Sequence, residues 1–80
     1  MKRYRNLSGD SAVDAYEIGD DFVAVRFRPG VVYWYTEEGI GAQHVAVLKR
    51  LALRGRGLGT YISQHREVKN GYAKKEPDDD

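Results

Sequence analysis

The chain predicts an α+β fold, a three-stranded antiparallel meander packed against two C-terminal helices in the order β-β-β-α-α. Three observations carry that prediction. Strand-like apolar runs fill residues 12–36, alternating with period two over residues 22–28, the period lengthens to a helical one from about residue 42, and acidic or glycine-rich turns separate the segments. With 80 residues and no cysteine, the chain builds one modest core, with no disulfide to reinforce it and no thiolate for catalysis or zinc.

The first strand covers residues 12–18, where Val13, Ala15, Tyr16 and Ile18 supply apolar surface before the turn Gly19-Asp20-Asp21. Residues 22–28 follow, with Val23, Val25 and Phe27 alternating on one face. Pro29-Gly30 breaks that run, because proline presets φ and glycine accepts positive φ. Val31-Val32-Tyr33-Trp34-Tyr35-Thr36 is the strongest strand, wholly β-branched or aromatic.

Two hairpin registers are open. A two-residue Pro29-Gly30 loop sets Trp34 beside Val25 on the core face. A three-residue Arg28-Pro29-Gly30 loop pairs Val25 with Tyr33 and sends Tyr33 and Tyr35 inward. A slip of one residue exchanges the faces, and the residues alone do not choose, although inward tyrosines with an outward Trp34 are preferred.

Strand signals stop at Glu37-Glu38-Gly39. Ile40, His44, Val45, Val47, Leu48, Leu51 and Ala52 then fall within an arc of roughly 160° at 100° per residue, with Gln43, Lys49, Arg50 and Arg54 outside it. Gly55 ends this amphipathic helix. After the glycine-rich Gly55-Arg56-Gly57-Leu58-Gly59, the residues Leu58, Tyr61, Ile62 and His65 repeat the helical spacing until Asn70-Gly71. Residues 1–72 are therefore read as one domain, and 73–80 as an acidic, disordered tail.

Charge is distributed unevenly behind a formal net value of +1. Residues 1–9 carry Lys2, Arg3 and Arg5 without an acid, residues 10–38 set seven acids against Arg26 and Arg28, and residues 49–69 set six bases against Glu67. Lys49, Arg50 and Arg54 share the polar side of the long helix, and Arg56 extends that patch into the glycine loop. Such a patch attracts phosphates. Tyr33, Trp34 and Tyr35 are the aromatic candidates for stacking an unpaired base. These seven residues are the candidate nucleic-acid contacts.

Other chemistries find little support. The acids sit in turns, where solvation keeps paired carboxylates from acid–base work. His44 and His65 have neither cysteine nor clustered carboxylates beside them, so no metal is expected. Ser63 lies two residues before His65, but proximity in sequence does not make a nucleophile and its base. No apolar run approaches the ~20 residues of a membrane span, and the basic N-terminal residues lead into no apolar signal segment. A cytoplasmic, cofactor-free, non-catalytic protein is expected.

Arg54-Gly55-Arg56-Gly57-Leu58-Gly59-Thr60 is similar to the pyrophosphate-binding turn of GNAT acetyltransferases, whose glycines admit phosphates to a helix N-terminus. In that family a strand precedes the turn, whereas here the preceding segment is helical, and 80 residues cannot supply the larger sheet. A helix–loop–helix connector is the better reading.

The run Val23-Ala24-Val25-Arg26-Phe27-Arg28-Pro29-Gly30-Val31-Val32-Tyr33-Trp34-Tyr35 resembles the hydrophobic-x-Val-x-Phe-x-x-Gly-x-Val-Tyr-x-Tyr signature of the KTSC domain, a small domain named for the C-terminus of lysyl-tRNA synthetases. Ser11-Ala12-Val13 and Tyr16 resemble its first strand, and the stretch from Gly55 to Ile62 its closing glycine-to-isoleucine segment, so that residues 8–66 are covered. The chain departs from the family at Glu37-Glu38-Gly39-Ile40-Gly41, where many members have Val-Pro, and at Gly59, where asparagine is common. The resemblance implies a small RNA-binding module without catalytic activity. The alternative expectation is a protein-interaction module using the outer sheet face.

Overall fold

The computed structural model describes residues 1–78, and Asp79 and Asp80 lie outside the described residues. Its centre is the meander expected from the sequence: β2 (Val13–Ile18), β3 (Phe22–Phe27) and β4 (Val31–Thr36), all antiparallel. Val25 pairs with Tyr33 and Phe27 with Val31, so the loop is Arg28-Pro29-Gly30, closed by the Gly30 N–H donating to the Phe27 carbonyl at 2.8 Å. This register turns Val23, Val25, Tyr33 and Tyr35 toward the helices and Trp34 away from them. In β2 a bulge between Val13 and Ala15 inserts Asp14. The extra residue lets Val13 and Tyr16, three apart, both reach the core.

The expected three strands and two helices become five strands and four helices among the described residues, with strand order β1-β2-β3-β4-β5. The added edges are β1 (Lys2–Arg3), paired with β2, and β5 (Lys74–Pro77), paired with β4. The segment expected to be a disordered tail thus contributes an edge strand through its residues 74–77. Without it, β4 would present a row of unpaired backbone groups beside Tyr33 and Trp34. The Lys74 and Lys75 ammoniums lie 4.8 Å and 5.6 Å from the ring centres of Trp34 and Tyr33. Lysine and proline are ordinary edge-strand residues, and backbone pairing rather than apolar burial recruits this segment.

Where the sequence marks only a strand stop, the one-turn α1 (Glu37–Ile40) forms, its first turn capped by Thr36 Oγ1 accepting from the Gly39 N–H at 3.0 Å. The long helix α2 (Ala42–Arg54) buries Val45, Leu48 and Ala52 against β3 and β4. The second predicted helix is broken at His65 into α3 (Leu58–Gln64) and α4 (Arg66–Lys69). There both the backbone N–H and Nδ1 of His65 approach the Tyr61 carbonyl, at 3.1 Å and 2.8 Å, and the backbone turns extended. Val68 then anchors α4 in the core. All the helices' buried side chains join one cluster with Tyr4, Val13, Tyr16, Val25 and Tyr35.

Candidate functional site

The basic surface is assembled from two distant parts of the chain. Gly55 adopts the left-handed conformation, φ 78°, and its N–H closes α2 on the Leu51 carbonyl at 3.0 Å. The N-terminal segment docks onto this end. Leu7 N–H donates to the Gly55 carbonyl at 2.7 Å, and Arg5 Nη2 donates to the carbonyls of Leu53 and Arg54 at 2.7 Å and 3.1 Å. The buried Tyr4 phenol accepts from the Leu58 N–H at 3.2 Å. Arg5 thereby satisfies carbonyls that end the helix, and positive charge there complements its dipole.

Around this junction, Lys2 and Leu53 share one depression, and Arg3, Arg5 and Arg28 share another. Arg50, Arg54 and Arg56 are exposed on the last turns of α2 and in the loop after it, where Arg5 reaches the Arg54 carbonyl. Among the described residues, none of Lys2, Arg3, Arg5, Arg50, Arg54 and Arg56 forms an ion pair. Lys49 leaves the patch, because its ammonium donates to the Asp20 carbonyl at 2.7 Å and ties α2 to the β2–β3 turn. Sequence reasoning missed Lys2, Arg3 and Arg5 as part of this surface. Their acid-free charge was visible, but not the place where they fold.

The aromatic candidates separate. Trp34 lies on the sheet face away from α2, near Arg26, which contacts Asp14 at 2.7 Å and Asp78 at 2.8 Å. Those two carboxylates, Asp14 first, hold the Arg26 guanidinium firmly charged. Trp34 and the bases of residues 49–56 are therefore not brought together. Tyr35 is 1% exposed and belongs to the core, where burial, then the neighbouring Tyr33 and Tyr72, push its phenol above the ordinary value. Tyr33 is half-buried and opens into a groove.

That groove, about 440 Å³, lies between the β3–β4 hairpin and the α3–α4 corner. Its aromatic wall is Phe27, Tyr33, Tyr35 and Tyr72, and Arg28, Ser63, Lys69 and Asn70 provide the polar lining. Tyr33 meets Phe27 edge-on at 5.5 Å, Tyr72 edge-on at 5.0 Å and Tyr35 nearly parallel at 6.3 Å. Tyr72 is 38% exposed. Nothing in local periodicity marks Tyr72, and only the chain reversal at Asn70-Gly71 hints that it returns to the sheet.

The two histidines also converge. His44 Nδ1 stands 2.6 Å from the Tyr61 hydroxyl and Nε2 3.4 Å from Glu67, while the His65 ring stacks on Tyr61 at 3.9 Å. The set ties α2 to α3 and α4. The Glu67 carboxyl is lowered by a hydrogen bond from its own backbone N–H, with partial dehydration opposing and His44 and His65 adding to the lowering. Among the described residues no group of three or more histidines and carboxylates could hold a metal ion. Ser63 and His65 turn to different partners, the carbonyls of Thr60 and Tyr61. Among the described residues no helix is long and apolar enough to cross a membrane.

No protein-family model, curated protein or solved structure matches the chain.

Proposed function

We propose that this domain is a non-catalytic module that binds RNA through the surface formed by Lys2, Arg3, Arg5, Arg50, Arg54 and Arg56. The observation that carries this reading is the docking of the N-terminal segment onto the end of α2 through Arg5, with none of the six cations in an ion pair among the described residues. A cluster of unpaired cations on one surface favours a polyanion, because each neutralised phosphate releases condensed counterions. The KTSC resemblance of residues 8–66 points to the same ligand class. The test is fluorescence anisotropy of a labelled, mixed-sequence single-stranded RNA. Salt-sensitive binding that weakens in Arg54→Ala with Arg56→Ala supports the reading, and no binding at low ionic strength overturns it.

A protein partner on the outer sheet face is the second reading, favoured by the outward Trp34. The Lys74 ammonium lies over its ring and is already paired with Glu76 at 3.5 Å, so that face offers an aromatic contact rather than a free cation.

A further inference from the structure

We infer that the groove between the β3–β4 hairpin and the α3–α4 corner takes an unstacked base of a single-stranded nucleic acid, with Lys69 and Arg28 holding the flanking phosphates. This inference rests on the nucleic-acid reading and names the part of the ligand that the domain grips. Three observations support it.

The first is shape and lining. A volume of about 440 Å³ falls within the ~300–1,000 Å³ of small-molecule sites, so a base with its sugar fits. Tyr33 and Tyr72 present aromatic surface to it, and every base has a face that stacks on such a ring. Asn70 adds an amide with both donors and an acceptor at the groove edge, suited to a base's hydrogen-bonding edge.

The second is charge. Among the described residues the lining contains two cations, Arg28 and Lys69, and no carboxylate. Neither cation forms an ion pair with a described residue, although Arg28 Nη2 also donates to the Ser11 carbonyl at 2.7 Å. An uncharged aromatic ligand would leave both unused, whereas a nucleotide carries its anion beside its ring. The third is continuity. Arg28 lines both this groove and the depression that holds Arg3 and Arg5. Asp14 also lines that depression but is ion-paired to Arg26 at 2.7 Å, so a strand whose phosphates follow Arg3, Arg5 and Arg28 into the groove passes one carboxylate that is already neutralised.

Trp34, the more obvious stacking candidate, sits on the opposite face of the sheet. That separation makes the inference testable. Anisotropy is measured with a labelled oligouridylate and with an abasic strand of equal length and charge. The base-bearing strand should bind roughly 5- to 150-fold tighter, corresponding to ~1–3 kcal/mol for one stacked base at about 1.4 kcal/mol per tenfold.

Tyr72→Ala and Tyr72→Leu should erase that advantage while leaving abasic affinity unchanged, and Trp34→Ala should retain it. Thermal unfolding establishes that each variant is folded. Equal binding of the two strands overturns the groove assignment and leaves the RNA reading standing. An advantage that survives both Tyr72 variants but disappears in Trp34→Ala also overturns it. Failure of both strands to bind at low salt overturns the RNA reading and this inference with it.

Discussion

Replacing Gly55 by alanine tests the junction on which the basic surface depends. Two effects add. At φ 78° an L-residue carries about 1–2 kcal/mol of backbone strain. A Cβ built there would also stand 2.8 Å from Arg5 Cβ, an atom next to the main chain that cannot swing aside like a side-chain tip. Relief requires the N-terminal segment to move, stretching the 2.7 Å Leu7–Gly55 hydrogen bond and the Arg5 contacts to Leu53 and Arg54. Losing that set is worth about 1–2 kcal/mol net, since solvent replaces the exposed partners.

The expected destabilisation is therefore about 2–4 kcal/mol, or roughly 10–25 °C in Tm for a domain of this size. Gly9→Ala is the internal control. Gly9 has a similar φ of 84° but no atom within 4 Å of a built Cβ, so only the strain of about 1–2 kcal/mol applies. Circular-dichroism melting of both variants separates the terms. If Gly55→Ala melts within about 3 °C of Gly9→Ala, the N-terminal segment does not rest on the α2 cap and the assembled basic surface is wrong. RNA affinity should fall in Gly55→Ala and hold in Gly9→Ala.

Other expected outcomes address the site and the core separately. If all six cations of the surface meet phosphates, the slope of log affinity against log salt is about −4 for a single strand, a loss of about 300-fold between about 50 and 200 mM. Arg54→Ala with Arg56→Ala should reduce the slope to about −3, and an unchanged slope would mean that these arginines touch no phosphate. Leu48→Ala, at a fully buried position, should cost about 2–5 kcal/mol in urea unfolding.

The raised Tyr35 phenol makes stability pH-dependent on the alkaline side. The unfolded chain ionises there near pH ~10 while the folded one stays protonated, so stability is intact below that value and falls above it by up to ~1.4 kcal/mol per pH unit. Tyr35→Phe should flatten this limb in urea midpoints measured from about pH 9 to 11. The lowered Glu67 carboxyl acts in the opposite direction. Its contribution is present above the ordinary glutamate value of 4.5 and is lost as pH falls through the lowered one, so Glu67→Gln should soften the acid limb of a matching set of urea midpoints measured below about pH 5.

The sequence by itself determined the elements that bury apolar periodicity. Val23, Val25 and Phe27 mark β3, the β-branched and aromatic run marks β4, and Val45, Leu48 and Ala52 mark the inner face of α2, because a core side chain must recur with the period of its backbone. Gly55 likewise announced the end of α2, since a left-handed cap is a local requirement. The seven candidate contacts were legible as residue types but not as a site.

Only the tertiary structure decided the rest. The strands Lys2–Arg3 and Lys74–Pro77 bury no apolar stripe, and are held by pairing with edges that exist only once the meander has formed. The bulge at Asp14 and the three-residue hairpin loop chose the faces of Tyr16, Tyr33 and Trp34, a choice that one residue of slip would reverse. Arg5 and Arg54, some fifty positions apart, became neighbours because a backbone cap, not a pattern, joins them. Tyr72 reached Tyr33 for the same reason: a contact between distant segments depends on how packed elements place the chain, and local periodicity carries no record of it.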